Sequence, residues 1–290
     1  MTIFNLGSIN ADLFYRLPHL PAPGETLAAT SHFSGLGGKG ANQSVAAARA
    51  GADVVHIGAV GRDGAWMVDR LRQSGVDVAH ICEIDGASGH AVIYVDVDGE
   101  NVIVLHPGAN RCIPLQSVEA ALSQAGSKDW LMLQNETNGL AEAAQIARGM
   151  GLRVAYSAAP FDAEITEQML PLIDLLILNE IEAAQLSDAL GVALDDVSVP
   201  RMVVTAGPKG AVWRAPGEPP LNVPAFDVTP VDTTGAGDTF AGYLIASLAE
   251  GMNVPAAMQR ANAAAALMVQ RKGTADAIPL RQHVLDFQRQ

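Results

Sequence analysis

The sequence predicts an α/β protein built on a doubly wound, mostly parallel sheet flanked by helices, with a small β-sheet beside it. Three observations carry that expectation. Short apolar runs alternate with amphipathic helical patterns along most of the chain, an order that pairs strands in parallel with helices crossing between them. The C-terminal third turns helical. Two segments break the rhythm with prolines, turn residues and alternating polar and apolar positions.

The elements follow in chain order. Residues 3–6, 53–57, 130–133, 153–156, 175–178 and 202–205 read as short strands, apolar at nearly every position as in sheets covered on both faces. Between them, residues 40–50, 65–74, 115–124, 139–150, 165–170 and 181–190 carry helical patterns. Residues 236–250, 255–270 and 280–288 supply the terminal helices. Residues 11–36 hold three prolines and a Pro23-Gly24 turn. Residues 89–106 read as a hairpin, with a turn at Asp98-Gly99-Glu100. Both are expected to form the accessory sheet. No repeat, low-complexity tract or linker divides the chain, so one domain over residues 1–290 is the economical expectation.

Composition narrows the function. A net charge of −13 argues against a nucleic-acid footprint, and any anionic ligand must be met by local donors because the global field opposes it. Cys82 and Cys112 are too few for a disulfide framework and lack metal-ligand spacing. Nothing at the N-terminus resembles a secretory signal, and the Ala-rich stretches are broken well short of a membrane span. A soluble cytoplasmic enzyme, with no membrane partner, is expected.

Three motifs carry chemistry. From Val231 to Phe240, Asp232 and Asp238 bracket the turn Gly235-Ala236-Gly237, and a helical pattern starts at once. Small residues let backbone N–H groups surround an anion at a helix start, where the dipole adds positive potential. A carboxylate there would repel the anion, so Asp238 suggests a base acting on a nucleophile that attacks phosphate. Taken alone, the motif also fits a Gly-rich turn with Asp238 as the helix cap. The second motif, Gly37-Gly38-Lys39-Gly40-Ala41-Asn42-Gln43, offers a close-approach surface with an amide that donates and accepts at its edge. It is not a Walker A loop, and alone it fits a tight strand-to-helix turn. In the third, Gly7-Ser8-Ile9-Asn10-Ala11-Asp12, Asn10 and Asp12 point the same way on an extended segment, which suits adjacent sugar hydroxyls or plain turn chemistry.

With these motifs on one chain, the sequence resembles the ribokinase-like (PfkB) carbohydrate kinases almost end to end. The resemblance is carried by residues 7–12, 23–26, 37–43, 106–110, 179–182, 231–240 and 271–273. The Asp-Thr-x-Gly-Ala-Gly-Asp run belongs to the broad family, whereas Gly-Gly-Lys-Gly-Ala-Asn-Gln and Gly-Ser-Ile-Asn-Ala-Asp favour its ribokinase branch. The resemblance implies a ribokinase-like fold whose residues 11–36 and 89–106 form a β-sheet lid. An exposed lid edge is a liability unless paired, so a homodimer through the lid is expected.

The implied site is specific. Asp238 is the base, and the N–H groups of Gly235, Ala236 and Gly237 form the anion hole. Asn10, Asp12, Gly38, Lys39, Asn42 and Glu136 hold the sugar. On residues alone, Glu136 is a solvated loop carboxylate. Asn179 and Glu182 organise phosphate and Mg²⁺, although Glu182 equally fits a helix-surface charge. Thr205, Gly207, Lys209 and Gly210 form a nucleotide loop, and Gly237 and Asn262 contact ATP. A potassium site is implied around Asp232, with oxygens from Thr234, Met268, Arg271, Gly273 and a group at Ala277, which lacks a side-chain oxygen; Asp232 also fits a turn-capping role. Of the seven histidines, only His106 lies in a family motif, and packing or hydrogen bonding under the lid is its expected part.

Two departures bear on the nucleotide: residues 185–201 are short for the family, and Pro208 removes one backbone donor from the loop. The implied activity is ATP-dependent phosphorylation of a pentose, D-ribose to D-ribose 5-phosphate. A hexose such as fructose, deoxyribose, or a nucleoside such as adenosine remains open, with Phe14, Tyr15 and Phe33 available to a base. So does a sugar-binding protein of the same fold without catalysis. A Rossmann dehydrogenase is disfavoured, because no Gly-x-Gly-x-x-Gly follows the first strand.

Overall fold

The computed structural model describes residues 1–289, so Gln290, the last residue of the expected domain, lies outside the described residues. β1 (Thr2–Leu6) leads into β2 (Asn10–Arg16) and β3 (Ser31–Gly37), and α1 (Lys39–Ala50) returns the chain to β4 (Asp53–Val60). After α2 (Ala65–Gln73) and β5 (Asp77–Glu83) come β6 (Gly89–Val95) and β7 (Asn101–His106). Alternation then runs through α3 (Leu115–Leu122), β8 (Trp130–Gln134), α4 (Leu140–Gly149), β9 (Arg153–Ser157) and α5 (Ala163–Met169). It continues through β10 (Leu175–Asn179), α6 (Glu180–Leu190) and β11 (Met202–Thr205). Two short strands, β12 (Ala211–Arg214) and β13 (Leu221–Val223), precede α7 (Ala236–Ala249), α8 (Val254–Met268) and α9 (Arg281–Phe287).

The large sheet has nine strands in the order β13-β12-β11-β10-β9-β8-β1-β4-β5. Every pair is parallel except β11/β12 and β12/β13. A separate sheet of four strands, β3-β2-β6-β7, joins the two segments that broke the sequence rhythm. Its middle pair, β2/β6, is parallel. Residues 17–30 of the first segment contribute no strand. Three strands of the large sheet escaped the sequence expectation. β5 is an edge strand with exposed Asp77 and Glu83, and β12 and β13 are too short to show a period. No helix among the described residues is long and apolar enough to cross a membrane.

Helices cover both faces of the large sheet, which is why its inner strands read as continuous apolar runs. Successive residues of β1 serve opposite cores: Ile3 packs with α1, α7 and α8, whereas Phe4 and Leu6 pack with α3 and α4. Burying such side chains contributes about 1.5–3 kcal/mol each, and α7 adds Phe240, Leu244 and Ile245 to the first core. Asn5, His56 and Gln134 interrupt the runs. They share the face of Ile3, Val54 and Met132 by the two-residue period, and all three are fully buried beneath α1.

The start of α1 is fixed by two glycine contacts. Gly38 sits at φ +90, and a Cβ there would meet Ser8 O at 2.9 Å. A Cβ on Gly40 would fall 2.3 Å from Gly7 Cα, so the end of β1 and the first turn of α1 touch backbone to backbone. α1 then packs against α7, where a Cβ on Gly242 would meet Ala46 Cβ at 2.5 Å. The first turns of the two helices also meet, Asn42 and Gln43 of α1 donating to Asp238 of α7.

Gly40→Ala tests this contact. It is expected to destabilise the protein by about 1–3 kcal/mol or more in urea unfolding, as overpacking does when neither backbone can retreat. Wild-type stability would show that the two segments are not locked together.

Candidate active site

The C-terminal ends of β1, β8, β10 and β11 open onto one region, where open parallel sheets place their ligands. The starts of α1, α6 and α7 border it.

On one side, β2 presents Asn10 and Asp12, both buried. A Cβ at Gly37 would lie 2.0 Å from Asp12 Oδ2, so only glycine leaves room for the carboxylate. Thr274 Oγ donates to Leu36 O at 2.7 Å and lies 3.4 Å from Asp12 Oδ2. Asn110 Nδ2 donates to Asn10 Oδ1 at 2.7 Å, while Asn110 Oδ1 accepts from Ile9 N at 2.9 Å. Glu136 is no solvated loop carboxylate. Its Oε2 accepts from the Lys39 backbone N–H at 3.0 Å and from Ser8 Oγ.

Asp238 opens α7 and is held by α1. Asn42 Nδ2 donates to Asp238 Oδ2 at 3.1 Å, and Gln43 Nε2 donates to Oδ1 at 3.0 Å. Asn42 Oδ1 is buried with no partner among the described residues, an acceptor open to a ligand hydroxyl. The electrostatics follow from crowding carboxylates around one lysine. Burial, reinforced by the charges of Glu136 and Asp238, pushes the Asp12 carboxyl up to about 7. Asp238, and then Glu136 and Glu182, hold the Lys39 ammonium in its charged form against the opposing effect of burial. That cation has no ion-pair partner among the described residues.

Against the start of α7, reached by Ala236 and Gly237, lies a cavity of about 460 Å³. Thr205, Gly207, Gly210, Ala236, Gly237 and Asn262 line it, and Phe226, Val228, Pro230 and Phe240 give it apolar walls suited to a flat base. Asn262 is buried and donates to Val223 O and Pro224 O, both at 3.0 Å, so it holds the wall segment in place. Gly210 must be glycine, since a Cβ at its φ of +100 would strike Val223 O at 2.1 Å. Lys209 does not line the cavity; its ammonium pairs with Glu180 at 3.1 Å in solvent.

Asn179 and Glu182 form a capping box at the start of α6, each side chain accepting the other's backbone N–H at 2.8 Å. One Glu182 oxygen is thereby used and the other is not. Burial raises the Glu182 carboxyl, and Lys39 partly offsets that. At the start of α7, Ala236 N donates to Thr233 O at 3.2 Å, so that donor is already engaged. Asp232 staples the adjoining loops, accepting from Thr234 N at 3.0 Å and Gly273 N at 3.2 Å. Met268 O accepts from Arg271 N, and Ala277 is buried with only a methyl group to offer. His106 lies exposed at the end of β7, its ring 5.0 Å from that of His90.

Sequence reasoning assigned no role to Ser8, Gln43, Asn110 or Thr274. The first three stand inside the quoted motifs, whereas Thr274 carried no sequence signal at all.

The chain is similar to known proteins along nearly its whole length. The profile described as pfkB family carbohydrate kinase matches residues 2–281. The ribokinase of Haemophilus influenzae is 37% identical over 99% of this chain and 98% of its own length. Among solved structures, ribokinase from Thermotoga maritima covers all of both chains at 30% identity with a TM-score of 0.91. The structure of Arabidopsis thaliana ribokinase complexed with ribose and ATP covers 99% of this chain and 97% of its own at 29% identity, with a TM-score of 0.88.

The raised Asp12 carboxyl has a consequence for stability. Below its ordinary 3.8 the group is protonated in both folded and unfolded chains; between 3.8 and about 7 only the folded state keeps the proton. The ligand-free protein should therefore lose stability as pH rises through that window. Asp12→Asn should flatten the slope in melts from pH 4 to 8, and an unchanged slope would contradict the burial of this charge.

Proposed function

This chain belongs to the pfkB family of carbohydrate kinases, and from that premise we propose that it transfers the γ-phosphoryl group of ATP to O5 of D-ribose. One observation carries the proposal. Asp238 stands between a cluster of buried hydroxyl-binding groups and a cavity of nucleotide size, with both carboxylate oxygens already oriented by amide donors. Asp12, Asn10, Asn42 and Glu136 bind the ribose hydroxyls, and the glycines at 37 and 38 let the ring lie against the backbone. Asp238 accepts the O5 proton as O5 attacks the γ-phosphorus. The bond to the β-phosphate oxygen breaks, ADP departs, and the proton passes to solvent.

The N–H groups of Gly235 and Gly237 and the Lys39 ammonium stabilise the charge on the transferred group, with Ala236 contributing less because Thr233 O holds its N–H. Thr205, Gly207, Gly210, Gly237 and Asn262 bind the nucleotide, and Lys209 reaches phosphate only by leaving Glu180. The free Glu182 oxygen beside Lys39 suits Mg²⁺ bound through water, and the metal would neutralise phosphate charge there. Asp232 with carbonyls of Thr234, Met268, Arg271 and Gly273 has the hard oxygen chemistry that K⁺ takes, and the ion would stiffen the Gly235–Gly237 turn; Ala277 leaves the set one side-chain oxygen short.

The smaller sheet acts as a lid over the sugar and excludes water. All six residues of β7 are exposed, including Val102, Ile103, Val104 and Leu105, and the strand is a free edge. A second copy's lid covers it, so the enzyme works as a homodimer. It acts in the cytoplasm, where its phosphoryl donor is held. A nucleoside is disfavoured as acceptor because Phe14 and Phe33 stack on each other, centroids 4.5 Å apart and planes 7° from parallel, rather than standing open to a base.

Three measurements test the reading. Asp238→Asn should keep the fold and ribose binding yet lower kcat by roughly 10²–10⁴-fold; near-normal turnover would remove Asp238 as base. Ribose should exceed 2-deoxyribose, fructose and adenosine in kcat/KM, since a site built around a hydroxyl leaves its own groups unpaired when that hydroxyl is missing. A better rate with any of the three would leave a kinase with a different acceptor. Replacing sodium with potassium at matched ionic strength should raise the rate, and Asp232→Ala should abolish the difference. Equal rates in the two salts would dismiss the cation site.

A further inference from the structure

Beyond the Gln43 amide that meets Asp238, a continuous chain of buried polar side chains runs on under α1 and takes no part in the steps above. Asn5, His56 and Gln134 stand on the adjacent strands β1, β4 and β8, each fully buried beneath α1, where Gln43 and Ser44 are buried too. Polar groups in such strands are costly unless hydrogen-bonded, so their pairing has to be complete enough to offset it.

Two backbone carbonyls dictate the direction of every bond, because a carbonyl can only accept. Asn5 Nδ2 donates to Gly40 O and to Ser44 Oγ, both at 2.8 Å, which turns Asn5 Oδ1 toward Gln134. Gln134 Nε2 donates to that oxygen at 2.9 Å and to Gln43 Oε1 at 2.8 Å. Gln43 is thereby turned with Nε2 toward Asp238 Oδ1, at 3.0 Å. At the far end, His56 Nε2 donates to Gly7 O at 3.1 Å, leaving Nδ1 to accept from Ser44 Oγ at 2.8 Å. Burial holds the His56 imidazole down at about 4, so it stays neutral and keeps that tautomer. Both anchors agree on one polarity. Flipping any one amide would set two acceptors or two donors face to face. The arrangement even leaves Gln134 Oε1 buried without a partner among the described residues, so both its donors are committed at the expense of its acceptor.

We propose that Gln134 and Gln43 are positioning residues for Asp238, in which a one-way chain of amides anchored on Gly40 O and Gly7 O aims a donor at Oδ1 and fixes the carboxylate plane. The inference rests on Asp238 acting as the base. With Asn42 on Oδ2, each oxygen takes one amide donor, so the carboxylate cannot rotate away from the incoming hydroxyl. Gln134 acts through Gln43 and touches no reacting atom.

Gln43→Leu and Gln134→Met in the full chain test it. Gln43→Leu should lower kcat by about 10- to 100-fold, as loss of a hydrogen bond to a charged group does, with ribose KM unchanged within about twofold. The acid limb of its kcat–pH profile should move to higher pH, since a carboxylate without its donor takes a proton more readily. Gln134→Met should move kcat and the limb in the same direction by less. Asp12, Lys39 and Glu182 face Asp238, and Glu136 faces Asp12 and Lys39; all are retained in both variants. Side-chain amide hydrogen exchange by NMR in the unaltered protein reads the chain directly and decides if a variant fails to fold. Slow exchange at both Gln43 and Gln134 supports the proposal, whereas exchange as fast as at surface glutamines overturns it. Folded variants with normal kcat and an unmoved limb also overturn it. Assayed beside them, an inactive Asp238→Asn confines that failure to the positioning inference, while an active one removes the base assignment and the positioning role together.

Discussion

Gly7 and Gly40 approach until a single added methyl group would fall 2.3 Å from the opposing Cα. No other residue pair lets β1 end against the first turn of α1 at that distance, and the rest of the site is hung from the contact. It sets Ser8 where its hydroxyl meets Glu136, brings the Lys39 N–H onto the same carboxylate, and faces Asn42 and Gln43 toward the start of α7. Gly242 then seats α7 against α1 with the same economy of space. Gly7, Gly40 and Gly242 are therefore structural in the strict sense: they remove side chains so that backbones can position polar groups elsewhere.

Charge is the second constraint. The chain carries a net −13, yet the proposed reaction handles two anions, a nucleotide and a transferring phosphoryl group. The resolution is local. The charges of Asp238, Glu136 and Glu182 act on Lys39, yet it forms no direct ion pair among the described residues. Asp12 illustrates the opposite balance. Its burial raises the carboxyl to about 7, and hydroxyl donors of the proposed sugar would favour the charged form.

Much of this was legible in the residues. Six of the seven inner strands appear as apolar runs because helices cover both faces, and the glycine-rich motifs mark close approach in the sequence itself. Asp12 with Asn10, and Asp238 with its turn, stood out as motifs, although each also fitted a turn or a helix cap, and only their convergence in space separates the two readings. What stayed hidden was long-range. Thr274 meets Asp12 across 262 positions, and Gln134 meets Gln43 across 91, so neither pairing leaves a local pattern. β5 was missed because, at the edge of the sheet, it carries exposed Asp77 and Glu83 and loses the apolar signature, and β12 and β13 because they are too short to show a period. Lys209 was expected at the nucleotide on motif grounds, but an exposed lysine takes the nearest carboxylate, here Glu180.

The central claim is that Asp238 and the groups around it direct phosphoryl transfer to one hydroxyl of ribose. The most direct test is phosphorus-31 NMR of a reaction containing ATP, Mg²⁺ and ribose labelled with carbon-13 at C5. The account predicts one sugar phosphate for each ADP formed, with the phosphorus signal coupled to the labelled carbon. ADP accumulating with inorganic phosphate alone, or a sugar phosphate without that coupling, would contradict it.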